Sequence, residues 1–570
     1  MNNLRSKIFP IICLILFSCG SYEEKNYVPD NAVLVAQMDL GELSDKMDIN
    51  KLMKMDVVMD NIEDIEDEMP DFILELKKNP SKTGFDLNAP VTMFMNFGKR
   101  GSQIRDIDDY QRIGIILRVD DKEKVLKLVE NISEEINLDY SIRENEDEGY
   151  TKAYPKEKYD RNHAMVWNDE VLIFTMKTGR RDDANMNNWA VKLLSLEDEE
   201  SLIHNNQAFE NFCSDRHDLD LFFNAPFVYK TAIKQIDLDD FKKDKENKKL
   251  LAFVENIEGY AMGLNFDDEE VNFSLNAYFK DEEIASEYNI LNEDGLSDNY
   301  LGLLSNNGKT MLAGGLSIDK TKLSKLLKNK SLKRLLEGEL RLKRKNTPKP
   351  GKPNLSGRRS NTEDILSVLN GDFAGSIAGF QKTEVTAYDY KYDLNTYRYK
   401  KIKKKVSKLV PVVNYQMGVN YSSKFYKNWE KEILQDESIQ KLSENHYTTE
   451  ISDLGTIHII KLKDRLFLSN DKDASKVSSV NAWKHPDDSD ITDMLTDYPV
   501  GLYLNLDLSQ EEIADEFDVP DAFAKKWGSL RMHTNGAETN LKLKLDHEDD
   551  NTLHYIMKSM INMGENGFNL

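Results

Sequence analysis

The stretch Thr310-Met-Leu-Ala-Gly-Gly-Leu-Ser-Ile-Asp-Lys-Thr-Lys-Leu323 repeats a plan that the chain has already used at Ala32-Val-Leu-Val-Ala-Gln-Met-Asp-Leu-Gly-Glu-Leu43. Each stretch begins with an apolar run typical of a strand and continues with the spacing of a helix. Asp39 and Asp319 occupy the same place, where the strand gives way to the helix, so we expect each to cap a helix N-terminus. The pair predicts a fold that is built twice.

Further pairs of stretches follow in the same order along both parts of the chain. They match Arg112–Val119 with Gln416–Tyr421, Asp169–Phe174 with Asp464–Ser469, Asp220–Asn224 with Gly501–Asn505, and Val271–Phe279 with Thr539–Leu545. The last pair alternates with a period of two, as half-buried antiparallel strands do, and a helix is predicted after each (281–289 and 551–563). We therefore predict an α+β protein of two homologous halves, 28–300 and 305–570, each a mainly antiparallel sheet with packed helices.

The N-terminus has the organisation of a secretory leader. A short basic segment precedes Ile8–Phe17, an apolar run that is too short to span a bilayer. Leu16-Phe17-Ser18-Cys19 then follows the bacterial lipoprotein pattern. We predict a signal peptide over 1–18 and acylation of Cys19, because several acyl chains anchor a protein that one chain would hold only weakly. An ordinary signal peptide with a chance cysteine is the alternative.

Residues 19–27 are predicted to form a polar tether behind this anchor. Glu23 and Glu24 resemble the acidic export signal that sends lipoproteins of Bacteroidetes-type bacteria to the outer cell surface. We expect a lipid-anchored protein of the cell outer membrane, and this pair favours the surface over the periplasmic face.

The composition is that of a globular chain of several domains. Its 570 residues are 40% hydrophobic and 31% charged, with a net charge of −24, which becomes −26 when Arg5 and Lys7 leave with the leader. Such a charge repels nucleic acid at long range, so no nucleic-acid partner is expected.

The three cysteines leave little room for thiol chemistry. Cys13 belongs to the leader and Cys19 carries the lipid, so Cys213 stays alone and an internal disulfide is excluded. We expect Cys213 to be a small buried apolar residue.

Cationic segments interrupt this acidic chain. Arg341–Arg359 is rich in proline, glycine and cations and predicts an exposed flexible loop. Tyr388–Tyr392 and Tyr397–Lys408 mix tyrosines with cations, which suits an edge strand protected from aggregation or a face for an anionic partner (lipopolysaccharide phosphates, an anionic glycan or an acidic protein). The candidate residues of that face are Lys343, Arg344, Lys345, Arg398, Lys400, Lys401, Lys403, Lys404 and Lys405.

No catalytic, cofactor-binding or metal-binding residue is predicted. Gly302–Thr310 has one residue too many between its glycines for a phosphate-binding loop and is followed by a predicted strand, so no nucleotide is expected. Lys82–Gly84 and Ser317–Lys320 carry motifs of penicillin-binding enzymes, but in reversed order along the chain. The nine histidines form no zinc-binding motif.

The chain resembles the large uncharacterised lipoproteins common in Bacteroidetes, which open with a Tyr-Val-Pro segment soon after the lipidated cysteine. The resemblance rests on Tyr27–Val35, Asn79–Val91, Trp167–Ile173 and Leu369–Phe373. It implies a place in the cell envelope and no assigned activity.

These observations predict a lipid-anchored outer-membrane lipoprotein that acts as a non-catalytic binding or assembly subunit of a cell-envelope protein complex. Two alternatives stay open. One is an envelope hydrolase with a dispersed active site, which a pocket holding a perturbed carboxylate pair or a serine–histidine contact would favour. The other is a carrier of a hydrophobic or anionic envelope ligand, for which the twenty methionines would give adaptable packing.

Overall fold

The computed structural model divides the chain into two compact units. Unit 1 comprises Met1–Lys242, Leu251–Asp281 and His547–Leu570, and unit 2 comprises Lys243–Leu250 and Glu282–Asp546. The structure describes residues 23–52, 54–55, 79–86, 89–97, 111–135, 139–156, 162–178, 185–227, 245–305, 310–328, 366–393, 397–433, 435–451, 453–477, 489–506, 527–547 and 551–565.

Unit 1 contains an antiparallel sheet. Its strands are β1 (Leu34–Met38), β2 (Val91–Phe97), β3 (Gln111–Arg118), β4 (Tyr140–Asn145), β5 (Tyr150–Pro155), β6 (His163–Trp167), β7 (Val171–Thr178), β8 (Leu219–Phe223), β9 (Ile257–Phe266) and β10 (Glu270–Phe279). Neighbouring strands follow the order β4-β5-β6-β7-β3-β2-β1-β8-β9-β10.

The strands of unit 2 are antiparallel as well. They are β11 (Leu312–Ser317), β12 (Leu369–Asp393), β13 (Arg398–Val419), β14 (Ile439–Lys441), β15 (His446–Ile451), β16 (Gly455–Lys461), β17 (Arg465–Ser469), β18 (Val500–Asn505), β19 (Trp527–Thr534) and β20 (Glu538–Leu545). Their order is β14-β15-β16-β17-β13-β12-β11-β18-β19-β20, which is the order of unit 1 with every number raised by ten.

Helices accompany both sheets. The described α-helices are α1 (Leu40–Met47), α2 (Ile49–Leu52), α3 (Lys122–Glu135), α4 (Met186–Leu194), α5 (Leu202–Asn205), α6 (Gln207–Ser214), α7 (Lys245–Asn256), α8 (Glu282–Tyr288), α9 (Asp298–Leu301), α10 (Lys320–Lys328), α11 (Lys424–Ile433), α12 (Ser489–Asp497) and α13 (Thr552–Glu565). Short 3-10 helices lie at Glu23–Tyr27, Pro80–Thr83, Asp198–Glu200 and Ala474–Lys476. None of these described helices has the length and apolarity that a membrane span needs.

The predicted α+β class is confirmed. Each pair of stretches matched in the sequence falls on strands whose numbers differ by ten, so the shared order of motifs reflects a shared order of strands. Asp39 accepts a hydrogen bond from the Glu42 N–H (3.0 Å), and Asp319 does the same for the Thr321 and Lys322 N–H groups (2.8 and 3.1 Å). Both predicted caps are confirmed, and a common ancestor of the halves stays a prediction.

The core of unit 1 lies between helices α4 to α6 and one face of its sheet. Asn206 starts α6 by accepting a hydrogen bond from the Phe209 N–H (3.1 Å), and this sets the apolar side of the helix toward the strands. Phe209 and Phe222 are fully buried, with ring centroids 5.1 Å apart. In unit 2, α9 and α12 cover the corresponding apolar cluster around Leu301 and Leu495.

The helix that follows the last strand of each sheet belongs to the other unit. Helix α8 comes after β10 but lies in unit 2, where it packs on α10. Helix α13 comes after β20 but lies in unit 1, where it packs on α1. Leu553 of α13 is buried there in a cluster with Leu43 and Phe266. Each unit therefore includes a helix that follows the last strand of the other unit along the chain.

Candidate functional site: a cationic arm and a serine–histidine contact

Strands β12 and β13 are much longer than the other strands, with 25 and 22 residues. Within the sheet, β11 pairs with Asp372–Ile377 and β17 pairs with Asn414–Gly418. Farther out, the two strands stay paired with each other as far as Asp393 and Arg398. We call residues 380–411 the arm, because no third strand pairs with this segment in the part of the chain that the structure describes.

The arm leaves the sheet at a β-bulge. The register shifts between Ile377 and Phe380, and Gly379 there has φ of +97°, which a residue with a side chain rarely adopts. Above the bulge, the Gln381 side chain donates to the Asn470 carbonyl (2.5 Å). Val385 is still 97% buried, so the base of the arm is fixed to unit 2.

Strand register sorts the outer part of the arm, residues 386–405, into two faces. Directly opposed residues of antiparallel strands share a face. On the tyrosine face the opposed pairs are Tyr388–Lys403, Tyr390–Lys401 and Tyr392–Tyr399. On the lysine face they are Ala387–Lys404, Asp389–Ile402 and Lys391–Lys400.

The tyrosine face is open to solvent. Tyr390 and Tyr399 are 61% and 69% exposed, and Tyr397, in the turn, is 77% exposed. The Lys401 ammonium lies 3.6 Å from the centre of the Tyr388 ring, a cation–π contact that holds the two side chains side by side. Exposed aromatic rings in such number are unusual on a protein surface, so we take the tyrosine face as a candidate binding surface.

The structure places the predicted cationic residues as follows. Those of the arm (Arg398, Lys400, Lys401, Lys403, Lys404 and Lys405) all lie on β13 and are exposed. They do not form the single face that was predicted, because side chains alternate along a strand and Lys404 points away from its two neighbours. Lys343, Arg344 and Lys345, the loop 341–359 and Cys19 lie outside the described residues.

A second candidate site lies in unit 1, where a histidine bridges a carboxylate and a serine. His217 Nδ1 lies 2.6 Å from Asp220 Oδ1, and His217 Nε2 lies 3.4 Å from Ser274 Oγ. The His217 N–H also donates to Asp220 Oδ2 (3.0 Å). The hydrogen bond from the ring to Asp220 raises the pKa of His217 above its usual value.

Register explains how these three residues meet. Gly263 of β9 lies directly opposite Asp220 of β8 on one side and Ser274 of β10 on the other. A Cβ at Gly263 would stand 2.4 Å from the His217 ring, so the ring fits over the sheet only because this residue is glycine. No local motif in the sequence indicates the contact, since three strands must pair before it exists.

A small pocket beside His217 contains ionisable groups but does not include Ser274. Its lining includes Asp220, Arg216 and the buried pair Glu24 and Lys25. The arrangement supplies a base and its orienting carboxylate, two of the parts of an acyl-transfer site. No set of three histidine, cysteine, aspartate or glutamate side chains in the described ranges is arranged to hold a metal ion.

The described end of the predicted tether is part of the fold, which corrects the tether boundary of 27. Glu24 and Lys25 are 2% and 3% exposed. Glu24 lies 3.7 Å from the Arg118 guanidinium, and burial raises its pKa. The Lys25 ammonium donates to the Cys213 carbonyl (2.6 Å), and burial lowers its pKa. Any tether therefore ends before Glu23.

Cys213 is a structural residue, as predicted. It is 3% exposed within the core of unit 1, and burial raises the pKa of its thiol to about 12. A thiol of this kind is not a nucleophile at neutral pH.

The fold and the two sites define a protein of two α+β units with one strand order, distinguished by a cationic arm. The chain belongs to the family DUF4836, a domain of unknown function, whose profile matches residues 24–345. Membership in an uncharacterised family is thereby confirmed, while the lipobox and the Bacteroidetes origin stay predictions. No curated protein matches the chain.

Among solved structures, the similar chains include crystal forms of the treponemal protein TP0453. Crystal form III is 11% identical, with 45% of this chain and 80% of that chain covered and a TM-score of 0.23. Crystal form IV is 10% identical, with 49% and 89% covered and a TM-score of 0.24. Similarity at this level carries no conclusion about this chain.

Proposed function

We propose that the protein is a lipid-anchored, non-catalytic binding or assembly subunit of the cell envelope, and that its arm docks an anionic partner. The observation that carries the proposal is the arm itself. Seven cations and two acids lie within residues 386–405, a net charge of +5 in a chain whose total is −24. The remainder therefore carries −29, of which −27 lies in unit 1, so an anionic partner would be attracted to the arm and repelled by unit 1.

The proposed anchor lies close to unit 1. Cys19 precedes Glu23 by four residues, and a chain extends by at most about 3.6 Å per residue. Acylation of Cys19 would therefore hold the start of unit 1 within roughly 15 Å of the lipid surface. A short connection of this kind suits a subunit that works at the membrane.

Charge reversal tests the proposed docking. The variant K403E/K404E/K405E should lose the envelope partners that the native protein retains in mild detergent. The matched control is K424E/K427E/K431E on α11, which changes the net charge by the same amount on exposed lysines of the same unit. Partners that stay with the arm variant, or leave both variants equally, would show that the arm is not the docking surface.

The hydrolase alternative has a specific observation behind it, the contact of Ser274 with His217. We nevertheless assign the contact a positioning role. Asp220 uses both carboxylate oxygens on His217, which ties the segment before β8 to the sheet. Ser274 lies within strand β10, between residues of the ladder, and outside the lining of the adjacent pocket. An acyl-transfer site needs its nucleophile in the pocket with donors for an oxyanion.

A further inference from the structure

We infer that the outer part of the arm, residues 386–393 and 397–405, inserts among the phosphate headgroups of an anionic membrane. The inference rests on the proposed function, since it names the anionic partner. It is drawn from three properties of the arm: its reach, the distribution of its charge around the ribbon, and its unpaired edges.

Reach decides whether the cations of the arm meet an anionic surface before the rest of unit 2 does. Eight residues per strand, at about 3.3 Å each, make the segment beyond Val385 about 26 Å long. The Debye length at physiological ionic strength is about 8 Å. The outer arm thus extends over about three Debye lengths, and the remainder of unit 2 is nearly neutral, with a net charge of −2. A membrane approached by the tip meets +5 before it meets the rest of unit 2.

Cations and aromatic rings surround the outer arm on every side. Lys401 and Lys403 lie on the tyrosine face, Lys400 and Lys404 on the lysine face, and Tyr397 in the turn between the strands. A folded protein partner would cover one face and leave the other in water. Headgroups around an inserted tip contact both faces together. Tyrosine rings settle at the level of the headgroups, and lysine chains extend their ammonium groups to the phosphates.

The edges of the arm discourage recognition by strand addition. Pro411, opposite Phe380, has no N–H to offer a further strand. Lysines along both strands oppose strand-to-strand pairing. A partner that binds through side chains rather than through a backbone ladder fits these edges, and a lipid surface is such a partner.

An environment-sensitive fluorophore at position 399 would report the insertion directly. The full chain carries Tyr399→Cys together with Cys13→Ser and Cys19→Ser, so no lipid is attached and the leader is common to all variants. Cys213 stays unlabelled, because it is 3% exposed and its thiol pKa is about 12. The control label is at Leu442→Cys, a residue of unit 2 that is 57% exposed and lies outside the arm.

Vesicles of phosphatidylcholine with 30% phosphatidylglycerol should shift the emission at position 399 to shorter wavelength. Vesicles of phosphatidylcholine alone should not do so, and the label at position 442 should respond to neither. Each cation near an anionic surface contributes about fivefold in affinity, or about 1 kcal/mol. Adding K403Q/K404Q/K405Q should therefore raise the lipid concentration at half-maximal shift by about 100-fold.

The inference is overturned if position 399 gives no shift on anionic vesicles, an equal shift on neutral ones, or a shift that the lysine substitutions leave unchanged. Failure here is distinguishable from failure of the proposed function. If K403E/K404E/K405E still releases an envelope protein while the tip ignores vesicles, the arm docks a protein. If neither experiment responds to the arm, both proposals are wrong.

Discussion

Leu553→Ala tests the finding that the last helix of the chain completes the first unit. Leu553 is 93% buried in unit 1, against Leu43 of α1 and Phe266 of β9. Hydrogen bonds hold the start of the helix at the same place: the Asn551 amide donates to the Phe266 carbonyl (3.1 Å), and the Thr552 N–H donates to the Asp267 carbonyl (3.1 Å). The side chain therefore fills a space that the surrounding backbone cannot easily close.

Removal of a buried leucine side chain destabilises a protein by about 2–5 kcal/mol, because transfer free energy and cavity formation add. Leu553 retains slight exposure, so we expect about 2–3 kcal/mol. That change raises the open fraction of the affected unit by about 30- to 150-fold. The part of the protein that loses stability is more informative than the size of the loss, because more than 260 residues of unit 2 separate α13 from β10 along the chain.

Hydrogen exchange followed by mass spectrometry resolves the location. Peptides from β1, α1, β9 and β10 should lose protection in Leu553→Ala, and peptides from β16 and β17 should keep theirs. Met560→Ala is the control, because Met560 lies on the same helix and is 60% exposed; its effect should stay below about 0.5 kcal/mol. Loss of protection in unit 2 alone, or no loss in either unit, would refute the placement of the helix.

Four further predictions concern stability, reactivity and the anchor. The pKa of His217 is raised, so its ion pair with Asp220 stabilises the fold below the ordinary histidine pKa and is lost as pH rises through the raised value. The melting temperature of His217→Gln should therefore differ most from that of the native protein near pH 6 and least near pH 9. Because burial raises the pKa of Glu24, ionisation of the carboxyl opposes folding as pH rises above its usual pKa, so Glu24→Gln should gain thermal stability over the native protein from pH 4 to pH 8. A fluorophosphonate probe should leave Ser274 unlabelled, and stoichiometric labelling that Ser274→Ala removes would establish a hydrolase. Cells fed an alkyne fatty acid should label the native protein and leave Cys19→Ser unlabelled, whereas equal labelling would rule out that anchor.

The shared strand order could be predicted from the sequence because each repeated motif is local. A run of apolar residues that ends at Asp39 or Asp319 specifies a strand, a cap and a helix within about a dozen residues. Five such local motifs in one order imply one strand order. The sequence could not predict that α8 belongs to unit 2 and α13 to unit 1. A helix pattern shows which face is apolar, but not which of two similar units covers that face.

The length of the arm and the His217 contact could not be predicted from the sequence, for related reasons. Alternating tyrosines and lysines indicated strands near Tyr388 and Lys403, yet strands usually run to five or six residues, so one of 25 was not expected. Whether Lys404 shares a face with Lys403 follows only from the period of a strand that is known to be continuous. Asp220 and Ser274 meet through His217 only after three strands adopt their register, and no local motif encodes that.

The shared strand order allows the two strands of the arm to be compared with their counterparts in unit 1. In unit 1 the strands that correspond to β12 and β13 are β2 and β3, with 7 and 8 residues. Both pairs of strands hold the same place in the strand order, and in unit 1 the order is kept with a described ladder of six residue pairs, Thr92–Phe97 with Gln111–Ile116. A two-stranded ribbon beyond a sheet adds little stability of its own, and exposed tyrosines such as Tyr390 and Tyr399 lower solubility. Folding thus gains little from the extension, and this is the reason that we place the proposed binding on its cationic outer part.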